Sequence, residues 1–403
     1  MAGLLLAVIY LAFISLGLPD SILGAAWPSM SRGLGVPFSW AGGISMVIST
    51  GTVISALLSE RVTRRLGVGR VTACSVGLTA LSLLGFSLAP SYWVLLALAL
   101  PYGLGAGGVD AALNNYVAVH YASRHMSWLH CMWGVGAAIG PYVMGFALSR
   151  GQGWPWGYRY IALAQAVLTL VIVASLPLWQ GEGGGAGRRR SRGSVPPPDQ
   201  PRQDSGEDRG PIPLREVVCI PGVADVMLAF FCYCGIETTV GLWASTYMTL
   251  EGGLDRVAAA RWASLFYLGI TAGRALGGFL TMKFNDPVMV RSGQAILLAG
   301  ILCVFLPSPG QWTRLAGLIL VGLGAAPIYP CMIHATPAHF GVRRSQAVIG
   351  VQMASANAGS LLAPPVFGLM AGHFSIALFP AYLLLLLAGM VLGHERLEAR
   401  SAA

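Results

Sequence analysis

Charge is scarce in this 403-residue sequence: 16 acidic and 25 basic residues make up 10% of it, against 55% hydrophobic residues and a mean hydropathy of +0.67. A soluble domain carries about a quarter of its residues charged, so this composition excludes a water-soluble fold and implies a chain embedded in lipid. Lysine is nearly absent, with Lys283 alone among the basic residues, which points to arginine-biased codon usage and says nothing of function. The net charge of +9 sits in short loops rather than along one stripe, so no nucleic-acid partner is expected. The seven cysteines lack metal-ligand or disulfide spacing and read as small packing residues. The first apolar run, residues 3–27, lacks a basic leader and exceeds the core of a signal peptide, so it reads as a retained helix. No nucleophile-and-base pair or metal spacing is in register with a membrane cavity, so neither an enzyme nor a cofactor is expected.

What is present is apolar length. A hydrocarbon core about 30 Å thick takes about 20 residues per helix, and twelve runs meet that length: 3–27, 39–58, 68–89, 92–118, 127–148, 157–179, 220–248, 260–281, 290–307, 313–338, 346–371 and 374–393. The expected fold is an all-α membrane protein of two six-helix bundles, residues 1–180 and 214–403. Residues 181–213 form the linker between them; rich in Gly, Arg and Pro, with Arg188, Arg189 and Arg190 in a row, it reads as a flexible tether. With both termini placed in the cytoplasm, 18 of the 25 basic residues fall in cytoplasmic loops or the tail, six outside and Arg274 within a helix, as the positive-inside rule requires.

The halves repeat weakly. Gly103-Leu104-Gly105-Ala106 matches Gly322-Leu323-Gly324-Ala325, and the run Gly136 to Pro141 matches Gly359 to Pro364; Trp40 and Gly51 match Trp262 and Gly273. Duplicated bundles of this kind bind solute between halves that rock about the midplane. The glycines themselves allow close helix packing, and no strand precedes them to make a nucleotide loop.

Three acids fall well inside the spans: Asp20, Asp110 and Glu237. An ionised Asp at a helix centre costs about 2.5–3.5 kcal/mol, so such residues face a cavity, pair, or take up a proton. All three are candidates for proton coupling, with a hydrogen-bonded structural role as the alternative. Shifted by the repeat, Asp20 lands beside Glu237 and Asp110 lands on Tyr329. Pro19 interrupts the helix before Asp20, and Asn114 shares a helix face with Asp110, with Asn115 next to it. Candidate solute contacts are Asp20, Glu237, Asn114, Asn115, Tyr329, His130, Trp133 and Trp243; Trp27 and Tyr233 offer further rings, packing being their alternative use. His130 and His334 are possible proton relays, or satisfied bundle histidines. Arg274 reads as a structural ion pair toward the cytoplasmic end rather than a solute contact.

Together these features resemble the major facilitator superfamily over essentially the whole chain. That family's signature loop follows the second helix. Here it reads Glu60-Arg61-Val62-Thr63-Arg64-Arg65-Leu66-Gly67-Val68-Gly69-Arg70, keeping Arg65 and Gly67 while Arg64 stands where the family has an acid. The resemblance implies a gating loop at Arg64, Arg65, Gly67 and Arg70, with a fainter second copy at Lys283. Leu18-Pro19-Asp20-Ser21-Ile22-Leu23 and the stretch Asp110 to Tyr116 resemble the fucose permease branch of sugar and proton symporters. By that resemblance Asp110 couples the proton and Asp20 binds substrate; Trp133 replaces that branch's polar residue in the fifth helix. The run Gly136 to Gly145 is similar to the Gly-Pro motif of drug and proton antiporters.

The expectation is a secondary active transporter of the bacterial inner membrane that takes up a small polar solute, a sugar first, with protons. It is expected to work as a monomer, driven by the proton gradient. The alternatives are a proton-coupled exporter of drugs or metabolites and a solute sensor that does not transport.

Overall fold

The computed structural model describes residues 2–20, 22–36, 40–183, 212–254, 256–306 and 312–402; the arginine and proline runs expected in the tether lie outside these residues. The described residues are almost wholly helical, with no strand among them. The first half holds α1 (Ala2–Asp20), α2 (Ile22–Leu34), α3 (Ala41–Leu66), α4 (Val68–Leu88), α5 (Tyr92–His120), α6 (Ser123–Ser149) and α7 (Trp154–Gly183). A short α8 (Leu214–Val218) leads into α9 (Val223–Leu250), α10 (Arg256–Leu280), α11 (Asp286–Phe305), α12 (Trp312–Phe340), α13 (Val342–His373) and α14 (Phe379–Ala402).

Described helices overlap each of the twelve apolar runs, the first run being met by α1 and α2 together, and ten spans among the described residues are long and apolar enough to cross a membrane. The two others are α10, whose apolar stretch is Leu265–Leu280, and α13. The dilution of α13 has a physical reason: Gln346, Gln352, Ser355, Asn357 and Ser360 all turn inward to partners or to a cavity instead of meeting lipid.

The halves are put together alike. In the first, α1 packs on α6, α3 on α5 and α4 on α7; in the second, α9 packs on α13, α10 on α12 and α11 on α14. The repeated glycines are the reason. A Cβ on Gly103 would strike the Ile48 carbonyl of α3, and one on Gly322 the Phe266 carbonyl of α10. Likewise Gly136 lies against the Ile14 carbonyl of α1, and Gly359 against the Phe231 carbonyl of α9. Lipid tails are as apolar as leucine, so helices in a bilayer associate through close backbone approach, which only glycine permits at these four points. Between halves, α3 meets α13 and α6 meets α10.

One turn decides how α3 meets α4. Gly67 alone separates them, with φ +79, a region other side chains avoid, and its N–H donates to the Thr63 carbonyl at 2.8 Å. Gly136→Val should cost about 1–3 kcal/mol by overpacking and lower the melting midpoint in detergent. Gly145→Val, where nothing lies within 4 Å of the added carbon, is the control and should leave it unchanged.

Candidate functional site

Where the halves face each other, a cavity of about 360 Å³ opens between them. Its wall includes all three membrane acids, Asp20 from α1, Asp110 from α5 and Glu237 from α9, with Trp133 and His130 from α6 and Tyr329 from α12. The repeat therefore places related helices around one space.

Each acid is held differently. Asp20 accepts the indole N–H of Trp133 at 2.8 Å and the Tyr102 hydroxyl at 3.4 Å, and stays open to solvent. Asp110 accepts from the Asn114 amide at 2.7 Å, one turn on, while the Asn114 oxygen sits 3.1 Å from Nε2 of His130. The hydrogen-bond chain from Asp110 through Asn114 ends at His130, whose ring meets Tyr329 of the second half edge-on at 4.9 Å between centroids. Glu237 pairs with Arg274 at 3.5 Å, and the Arg274 guanidinium lies 5.5 Å from the Trp133 ring. Three carboxylates thus face one guanidinium in a shared space. In low dielectric like charges resist ionising together, and an unpaired carboxylate lowers its cost by taking a proton. Around them Thr52, Ser49, Asn357 and Ser360 supply hydroxyl and amide groups suited to a polyhydroxylated solute.

Other expected residues lie elsewhere. Asn114 is fully buried and reaches the cavity only through Asp110 and His130. Asn115 is about 100° further round the helix and accepts the Ser345 hydroxyl at 2.6 Å in the contact between halves. Trp243, about 120° round α9 from Glu237, donates to the Pro364 carbonyl at 3.0 Å and packs on Phe367, outside the cavity wall. Trp27 is buried in a separate apolar cluster, and Tyr233 packs beneath Tyr329. Arg274 makes the expected ion pair, yet it lies in the cavity wall, 4% exposed, rather than toward the helix end. An arginine amid an apolar run was the signal for it.

The signature loop occupies the end of the molecule next to the linker. Arg64 approaches Glu60 at 3.9 Å, and Glu60 accepts the Ile212 N–H at 3.2 Å, where the chain re-enters the second half. Arg65, Arg70 and Lys283 are exposed there. The halves close on each other at this same end through groups that the motif did not mark: Gln346 donates to Ser59 at 2.6 Å, and the α12 ring of His334 meets the Tyr121 carbonyl at 3.0 Å. Asp20 keeps its accessible surface within the cavity wall.

The sequence model of the Major Facilitator Superfamily matches residues 9–260 and 226–399. The chain is 22% identical over 288 residues to the Saccharomyces cerevisiae protein "Bypass of stop codon protein 6", and it spans 56% of that protein's length. Among solved structures it is similar to FucP, the E. coli fucose:proton symporter, in the outward conformation, with a TM-score of 0.70 and 18% identity over 97% of this chain and 98% of that one. It is similar also to the proton:xylose symporter XylE, with a TM-score of 0.74 and 15% identity over 98% of each. At such identities the likeness establishes the fold alone.

Proposed function

This chain belongs to the major facilitator superfamily, and we propose from that premise that it imports a small polar solute, a sugar first, together with protons. It is a multi-pass membrane transporter rather than an enzyme. The observation that carries the reading is the meeting of Asp20, Asp110 and Glu237 in one cavity between the two halves. Asp110 is the coupling carboxylate, since its partner is a neutral amide that tolerates either protonation state. Asp20, presented by Trp133 and open to solvent, takes solute hydroxyls. Two of the similar structures are a fucose:proton symporter and a proton:xylose symporter, which supports sugar as the first class to test.

In this reading both termini and the linker are cytoplasmic, the membrane is a bacterial inner membrane, and the cavity faces outward. Solute and proton entry then permits rocking to an inward-facing state. The energy comes from the proton gradient, with no cofactor, and one chain suffices. In the glycine run that is similar to antiporter motifs, Gly136 lies against the backbone of α1, a packing use that needs no exporter.

The test is a thermal-shift screen of monosaccharides, polyols and lipophilic cations, followed by uptake in proteoliposomes. Sugar stabilisation with proton-driven uptake supports the proposal; stabilisation by lipophilic cations alone overturns it. Asp20→Asn removes a charge-assisted hydrogen bond worth about 1.5–3 kcal/mol. Affinity for the screened sugar should therefore fall by about 10- to 100-fold, and unchanged affinity by calorimetry would take Asp20 out of the site.

A further inference from the structure

We propose that the contact closing the linker end is a second proton-binding site, in which one proton shared by Asp286 and His334 locks the halves together and whose release lets them part. It goes beyond the transport reading and depends on neither the solute nor the cavity acids.

The geometry is one of acceptors. Nδ1 of His334 lies 2.6 Å from one carboxylate oxygen of Asp286, and Nε2 lies 3.0 Å from the backbone carbonyl of Tyr121, which belongs to the other half. The remaining Asp286 oxygen accepts the hydroxyl of Ser123, also from the other half. A neutral imidazole has one N–H, yet here both ring nitrogens face acceptors. Either the ring carries two protons or the carboxyl carries one. In both cases the contact holds one proton more than neutral histidine beside ionised aspartate. Asp286 is the first residue of α11, where the helix dipole favours its negative charge, so the proton belongs on the ring.

Remove that proton, and one nitrogen lone pair must face an acceptor. The pair within the second half is the shorter and is charge-assisted, so the contact to Tyr121 between halves is the one to be lost. Of the surrounding titratable groups, Arg124, His125 and His339 have other partners, Lys283 stands apart, Cys331 touches Ser123 within the cluster, and His394 makes no hydrogen bond among the described residues. On the first half, Arg124 beside Ser123 contacts His125 at 3.2 Å, and His125 contacts Tyr10 at 2.9 Å. On the second, His339 pairs with Glu398 of α14 at 3.2 Å; Cys331, 3.9 Å from Ser123, and His394 line the same small space, and Lys283 is exposed in the preceding turn. With the cytoplasm on this side, the lock holds while the proton is present and yields to the more alkaline compartment.

The test is the distance between nitroxide labels at Leu66→Cys on α3 and Val342→Cys on α13, both exposed, in a background with the native cysteines replaced, measured by pulsed electron resonance without solute across a pH series. The short distance should dominate at acid pH. As pH rises, the ratio of long to short should climb by up to about tenfold per pH unit through the interval where the proton is lost, the linkage slope for one proton. Asp286→Asn supplies an amide N–H to Nδ1 and an oxygen to Ser123, so neutral histidine satisfies every group. That variant should stay closed at all pH values, whereas a merely structural ion pair would open on the same change. His334→Gln should lose the pH response. A wild type insensitive to pH, or an Asp286→Asn variant that opens, overturns the proposal. So does a response that survives Asp286→Asn and vanishes in Asp110→Asn, which would move it to the cavity.

Discussion

Asp110→Asn should abolish uphill accumulation of solute while exchange across the membrane continues. The substituted amide oxygen still accepts from Asn114, whose amide lies 2.7 Å from the present carboxylate, so packing is kept and only the change of protonation state is lost. Coupling is the difference in proton affinity between states with and without solute. A group that cannot titrate supplies none, and the accumulation ratio in proteoliposomes under an imposed proton gradient should fall to about 1. Counterflow of labelled solute, which needs no proton, should remain. Accumulation that persists at the wild-type ratio would shift the coupling role to Asp20 or Glu237.

Loss of the Arg274 guanidinium should be the most damaging change to stability. Arg274 is 4% exposed and pairs with Glu237, so Arg274→Leu leaves a carboxylate facing the cavity without its counter-ion. Breaking one side of a buried pair costs about 3–5 kcal/mol, whereas removing both partners is often neutral. The melting midpoint of Arg274→Leu should therefore fall well below that of the wild type, and Arg274→Leu with Glu237→Leu should recover most of the loss. Transport by the double variant then separates two roles. If it accumulates solute, Glu237 serves only to neutralise the arginine; if it is stable yet fails to accumulate, Glu237 takes part in coupling. A single variant as stable as the wild type would mean that the pair contributes no stability.

The glycine substitutions and these charge substitutions act on different levels of the molecule, and the difference matches what was legible beforehand. Gly103, Gly136, Gly322 and Gly359 stood out as a repeat in one dimension, and each proved to be a point where two backbones meet. The three acids stood out because a carboxylate in an apolar run is costly wherever it points. Their gathering in one cavity followed from the repeat, which places Asp20 and Glu237 in equivalent helices. By contrast, Asn115 and Trp243 looked as suitable as Asn114 and Trp133, yet one turned to the contact between halves and the other to the Pro364 carbonyl.

The amino-acid sequence by itself determined the all-helical membrane fold, the repeated glycine contacts and the identity of the costly acids, because apolar length and glycine recurrence are properties of the chain read in order. Only the tertiary structure decided which side chains meet: Trp133 with Asp20, Arg274 with Glu237, and His334 with Asp286 and the Tyr121 carbonyl. The reason is physical. A helix that is apolar all round carries no polar face to mark its orientation, and in lipid the rotation of each helix is set by how its small residues nest against neighbours distant in the chain.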